Sequence, residues 1–170
     1  VCNHTSVLDI VMVMGCMNIH TGFVAKSELK WIPVANLWIM AVRSVFMDRK
    51  SLKKSVVAIK KAQKNISKGV SMFIFPEGTR SKTGEVGTFH KGSFRIATDC
   101  NARVLPVTVR GLREALENRK KLFGHYTAYV HIGELVGPVS SKDRSAVMTM
   151  TTEIEDKVRQ QYSLLGQYYN

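Results

Sequence analysis

SLKKSVVAIKKAQKNISKGVSMFIFPEGTRS, residues 51–81, carries three signals in succession. Leu52, Val56, Ile59, Ala62 and Ile66 recur at helical spacing, which predicts a helix stopped by Gly69 with that stripe turned to the core. VSMFIF (70–75) is an unbroken apolar run, the composition of a strand covered on both faces. At Pro76 the character changes to a polar loop, PEGTRSKTGEVGTFHKG (76–92). A helix, a doubly covered strand and a polar loop at the strand's end form the repeating unit of an α/β layer structure.

The same alternation extends in both directions. Upstream, the apolar run VLDIVMVMGCMNI reads as a buried helix ending between Gly15 and Asn18. GFVAK (22–26) follows as a strand, then a helical turn, a second helix from Pro33 and a strand SVFMDR (44–49). Downstream, SFRIATDC reads as helix, ARVLPVTVRG and TAYVHIGEL as strands, and KDRSAVMTMTTEIEDKVRQQYSLL as a terminal helix. With no repeat, linker or low-complexity tract, the expectation is one α/β domain over residues 1–170: a central mixed, mostly parallel sheet flanked by helices.

Charge narrows the partners. Twenty-five Lys and Arg against 13 Asp and Glu give a net charge of +12, which favours an anionic partner. Eight basic residues and no acidic one fall between 49 and 68. They suit a solvated helix face, an anionic lipid surface or an acidic carrier protein. Nucleic acid is not expected, because no aromatic residues interleave with the cluster. Cys2, Cys16 and Cys100 have no metal-ligand spacing and read as reduced thiols, and no metal is expected. No run of 18 apolar residues is present. The chain opens without Met, and an N-terminal part is expected to be missing.

NHTSVLD (3–9) sets His4 and Asp9 five residues apart. On one continuous helix they would diverge by about 140°. They meet only if the helix starts between them, with His4 outside and Asp9 in its first turn; Ser6 and Asp9 have the spacing of a capping box. A carboxylate bonded to one ring nitrogen leaves the other as a base of fixed tautomer, one able to take a hydroxyl proton. A capping Asp9 beside an ordinary loop histidine is the competing reading. FPEGTRS (75–81) ends the buried strand: Pro76 stops the ladder, Gly78 allows close approach, and Glu77 and Arg80 are three apart. One can hold hydroxyls and the other a phosphate, or the two form a surface ion pair. Arg49 stands at the end of another strand, SVFMDR.

NHTSVLD, VFMDR (45–49), FPEGTRS and VLPV (104–107) together resemble, in order and spacing, the four motifs of the glycerolipid acyltransferases. AKSELKWIP (25–33) and FHKGSFRIA (89–97) resemble that family's connecting segments. The branch most resembled acylates 1-acyl-glycerol-3-phosphate, and the likeness covers residues 3 to about 135. It implies that His4 is the general base, oriented by Asp9, that deprotonates the free hydroxyl of a lysophospholipid. The oxygen attacks an acyl thioester directly and phosphatidic acid results. Arg49 and Arg80 would hold the acceptor phosphate, with Glu77, Gly78 and Thr79 the acceptor-binding turn and Pro106 shaping the acyl-donor side.

The resemblance requires no cofactor. Acyl-CoA or acyl-carrier protein is a co-substrate, and an anionic membrane surface is the expected partner. The implied location is the cytoplasmic face of the cell membrane, peripherally or through the missing N-terminal segment. Three positions depart from the pattern: Arg43 and Asn36 stand where glycines are common, and His90 where lysine is frequent. Rival readings are a family member acting on another lysolipid or glycerol-3-phosphate, a non-catalytic lipid-binding module, and a hydrolase in which His4 activates water.

Overall fold

A computed structural model describes residues 1–17, 21–48, 51–116 and 125–169, excepting the side chains at 34, 35, 38 and 169. Arg49 lies outside the described residues. In chain order the elements are α1 (Asp9–Cys16), β1 (Thr21–Lys26), a 3-10 turn (Ser27–Trp31), α2 (Pro33–Ala41), β2 (Val45–Met47) and α3 (Leu52–Ile66). There follow β3 (Ser71–Phe73), α4 (Lys91–Thr98), β4 (Val107–Arg110), α5 (Leu112–Leu116), β5 (Tyr129–Ile132) and α6 (Arg144–Gly166).

The sheet is mixed and mostly parallel. β1 is the centre of a parallel trio in the order β2-β1-β3: its second half pairs with β2 (Val24 with Val45) and its first half with β3 (Phe23 with Phe73). β4 and β5 pair antiparallel, Val109 opposite Val130. Residues 1–3 join the two groups. Cys2 N–H donates to the Ile74 carbonyl at 3.1 Å, and Val107 N–H to the Val1 carbonyl at 2.8 Å. Asn3, fully buried, then uses its side chain as a surrogate peptide, donating to Val109 O at 2.9 Å and accepting from Val109 N–H at 2.8 Å.

Three apolar clusters hold the layers. α1 covers Phe23, Phe73 and Phe75 and the inner faces of Val107 and Val109. α4 and α6 enclose Phe94, Ile154, Val158 and Tyr162. The third lies under α3, and it corrects the expected stripe. The buried positions of α3 are Ala58 and Ala62, with Ile59 and Ile66 packed beside them against Val45, Ile74 and Ile96. Leu52 is 86% exposed, and Val56 and Val57 also face out. Small residues let the helix approach β2 and β3 closely, which rotates the larger apolar side chains to the surface. α5 was not anticipated; five residues are too few for a periodic signal.

Candidate functional site

The His4 site sits where the parallel strands end and rests on two loops. Residues 6–8 turn, α1 opens at Asp9, and the five-residue offset closes: Asp9 Oδ2 lies 3.0 Å from His4 Nδ1. The same oxygen accepts the N–H groups of Thr5 at 2.8 Å and Ser6 at 2.9 Å. The expected capping box with Ser6 as N-cap does not form: the helix opens at Asp9 behind Leu8, with no side-chain cap bond, and Asp9 instead gathers the N–H groups of the turn before it. Asp9 is completely buried; three donors hold Oδ2, and Oδ1 has no partner among the described residues. The His4 ring lies flat on Phe75, centroids 3.7 Å apart and planes 15° from parallel. Its side chain is 16% exposed, and Nε2 has no hydrogen-bond partner among the described residues. A neutral ring with its hydrogen on Nδ1 therefore presents a basic Nε2.

FPEGTRS approaches this histidine through the main chain. Gly78 N–H closes a turn onto Phe75 O at 3.1 Å, with Pro76 in the corner, and Gly78 has φ +78°, a left-handed conformation suited to glycine. Glu77 Oε1 accepts His4 N–H at 2.7 Å, and Ser81 N–H donates to His4 O at 2.8 Å. Both backbone polar groups of the histidine are thus held by one loop. Glu77 Oε2 accepts Gly87 N–H at 2.9 Å. Burial pushes the Glu77 carboxyl above the usual glutamate value, against the two backbone N–H groups that favour the charged form.

Several expected site residues occupy different places. Glu77, expected to hold acceptor hydroxyls, is buried with each oxygen on a backbone amide; its position is that of a tie between the two loops. Pro106, expected on the acyl-donor side, is buried before β4, its carbonyl bonded to Gly133 N–H, and the register puts it beyond Cys2 rather than beside His4. Thr79 and Arg80 are exposed on the loop that clamps His4. Phe75, Ser81 and Gly87 were not anticipated. Phe75 is visible only as the last apolar residue of its run, and Gly87 as one glycine among several in a polar loop.

Arg43, where glycine is common in the family resembled, has φ +56°. Its carbonyl accepts Asn65 Nδ2 at 2.7 Å, and a Cβ on Gly22 would meet that carbonyl oxygen at 2.7 Å. The left-handed bend before β2 accounts for a preference for glycine there. Among the described residues no group of three or more His, Cys, Asp and Glu is arranged to hold a metal ion, and no helix is long and apolar enough to cross a membrane.

A family model described as "Acyltransferase" matches residues 1–110. The chain belongs to this acyltransferase family. A coconut (Cocos nucifera) 1-acyl-sn-glycerol-3-phosphate acyltransferase is 34% identical over 112 residues, 65% of this chain and 36% of its own length. The yeast (Saccharomyces cerevisiae) protein of the same name is 29% identical over 165 residues, 95% of this chain and 52% of its own. The crystal structure of the 1-acyl-sn-glycerophosphate (LPA) acyltransferase PlsC from Thermotoga maritima superposes with a TM-score of 0.79 at 31% identity, covering 97% of this chain and 64% of that one. The chain thus spans about a third to a half of the length of these curated relatives.

Proposed function

We propose that this chain is the catalytic part of an acyltransferase that moves a fatty acyl group from an acyl thioester to the free hydroxyl of 1-acyl-glycerol-3-phosphate, giving phosphatidic acid. The observation that carries the reading is the 3.0 Å contact between a fully buried Asp9 and His4 Nδ1, with Nε2 left without a partner among the described residues. The acceptor hydroxyl donates to Nε2. As its oxygen bonds to the thioester carbonyl carbon, its proton passes to the ring, and Asp9 stabilises the imidazolium. Collapse of the tetrahedral intermediate breaks the C–S bond, and the imidazolium returns the proton to the departing thiolate. No covalent acyl-enzyme is needed. The thiolate belongs to coenzyme A or to the prosthetic arm of an acyl-carrier protein. Arg80 supplies positive charge for the acceptor phosphate from the loop that holds His4, and Arg49 is assigned the same role.

A membrane surface is the proposed setting, at the cytoplasmic face. Trp31 (87% exposed), Leu52 and Val57 present apolar side chains to the outside. Val57 lines a cavity of about 590 Å³ together with Lys30, Lys53, Lys61 and Phe46, and with Lys54 paired to Asp48 at 3.1 Å. Apolar groups for the acyl boundary next to lysines for anionic headgroups suit a peripheral contact with anionic lipid.

The test measures thiol release from acyl-CoA and from acyl-carrier-protein thioester, with and without a panel of lysolipids and glycerol-3-phosphate. Release that depends on 1-acyl-glycerol-3-phosphate and disappears in His4→Ala, with lipid binding retained, is the expected result. Full-rate release without acceptor indicates a hydrolase, and normal turnover in His4→Ala refutes the assignment of the base.

A further inference from the structure

Residues 76–90, which carry the motif loop, form neither helix nor strand. Their backbone N–H and C=O groups must find partners elsewhere, and a set of those partners comes from α6, beyond the 1–110 span matched by the family model. Glu155, Arg159 and Tyr162 stand at i, i+4 and i+7 on one face of that helix. Tyr162 Oη donates to Gly84 O at 2.6 Å. The Arg159 guanidinium donates to Val86 O and, at 3.0 Å, to Gly87 O. Glu155 Oε2 accepts Phe89 N–H at 2.9 Å, while its Oε1 holds Arg159 through Nε at 3.0 Å and Nη2 at 2.8 Å. Three side chains fix four main-chain groups.

The bridge continues inward. Gly87 gives its carbonyl to Arg159 and its N–H to Glu77 Oε2, and Glu77 Oε1 takes His4 N–H. There is no slack in it: a Cβ on Gly87 would meet Glu77 Oε2 at 2.6 Å. We propose that Arg159, buttressed by Glu155 and Tyr162, is a positioning residue of the reaction, holding Gly87 so that Glu77 fixes the main chain of His4. The inference rests on the reading of His4 as the base. Displacing a base by about an ångström costs on the order of a hundredfold in rate while leaving substrate affinity nearly untouched. A side chain that only stabilised the fold would lower the melting temperature without separating kcat from KM.

The experiment compares kcat, acceptor KM and Tm for the parent, Arg159→Ala, Tyr162→Phe, Gly87→Ala and His4→Ala, assayed well below each Tm. Arg159→Ala is expected to lose roughly tenfold to a hundredfold in kcat with acceptor KM within about threefold. Millimolar guanidinium should restore part of that loss in Arg159→Ala and none in His4→Ala. Gly87→Ala, which leaves α6 intact, should show the same split. Tyr162→Phe removes one bond and keeps the ring, and should lose severalfold in kcat; it decides the matter if Arg159→Ala does not fold. Folded variants with parental kcat, beside an inactive His4→Ala, overturn the positioning role. An active His4→Ala instead overturns the reading of the site itself.

Discussion

Asp9→Asn isolates the charge of the carboxylate from its shape. In the folded protein Oδ2 accepts three donors, His4 Nδ1 and the N–H groups of Thr5 and Ser6, whereas Oδ1 is buried without a partner among the described residues. The asparagine will place its oxygen at the Oδ2 position, because its NH2 would oppose three donors there. The amide nitrogen then lies buried at the unpartnered position, costing about 1–3 kcal/mol of stability. The ring orientation survives but the imidazolium loses its counter-charge. At 3.0 Å and an effective dielectric constant of about 20, a full pair of charges is worth about 5 kcal/mol. With the proton half transferred, roughly half of that applies. The range, about 2.5–5 kcal/mol, corresponds to a loss of about 10²–10⁴ in kcat. Acceptor KM should hardly move, since Asp9 has no exposed surface with which to touch the acceptor. Continuous detection of released thiol at saturating acyl thioester and varied acceptor separates the two constants, and thermal unfolding separates either from stability. A folded Asp9→Asn protein within tenfold of the parental kcat would refute the orienting and charge-stabilising role.

Four further outcomes follow from other parts of the structure. Arg80→Ala should raise acceptor KM for phosphorylated lysolipids more than it lowers kcat; an unchanged KM would remove the phosphate role. Arg43→Gly relieves a left-handed residue and should raise stability by about 1 kcal/mol, read by denaturant unfolding, because φ +56° suits glycine. The buried Glu77 has its pKa raised, so the folded state keeps that proton at pH values where the unfolded chain has lost it. Stability should fall as pH rises from the ordinary glutamate pKa to the raised one, then level off; Glu77→Gln should flatten that segment while being less stable throughout, because its NH2 faces a backbone N–H. Reversing Lys60, Lys61 and Lys64 to Glu should weaken sedimentation with anionic vesicles, most at low salt, and equal binding before and after would leave α3 a merely solvated face.

The alternation of elements was legible because it rests on local rules. The run 70–75 reads as a strand, Pro33 as the opening of α2, and a meeting of His4 and Asp9 requires a helix start between them; β3, α2 and the start of α1 lie there, although Ser71 is exposed and α1 buries only Asp9 and Val13 instead of its whole apolar run. What escaped depends on long-range contacts. The face of α3 turned on whether small or branched residues would meet the sheet, so Ala58 and Ala62 displaced Leu52 and Val56 from the core. Glu77 had the appearance of a ligand because a charged residue in a polar loop ordinarily faces water. Its partners are 73 and 10 residues away, and nothing near it in the chain announces them. The role of Asn3 as a stand-in for a peptide bond was hidden for the same reason.

These contacts bear on how His4, the proposed base, can be held precisely without belonging to a helix or strand. Catalytic groups are held best on rigid elements whose rotamers are locked, and His4 lies in a loop. Its ring is nevertheless restrained edge-on by Asp9 and face-on by Phe75, while its N–H and C=O are bonded to Glu77 and Ser81. Phe75, Glu77 and Ser81 belong to one short stretch, FPEGTRS, whose Gly78 turn returns the chain toward the histidine. Within that stretch Phe75, Glu77 and Ser81 act inward on His4, and Thr79 and Arg80 remain exposed on the outside. Changes at the inward residues should therefore appear in kcat and those at Arg80 in acceptor KM. Both in kcat alone would mean that the loop works as a single rigid body rather than as a clamp with a separate binding edge.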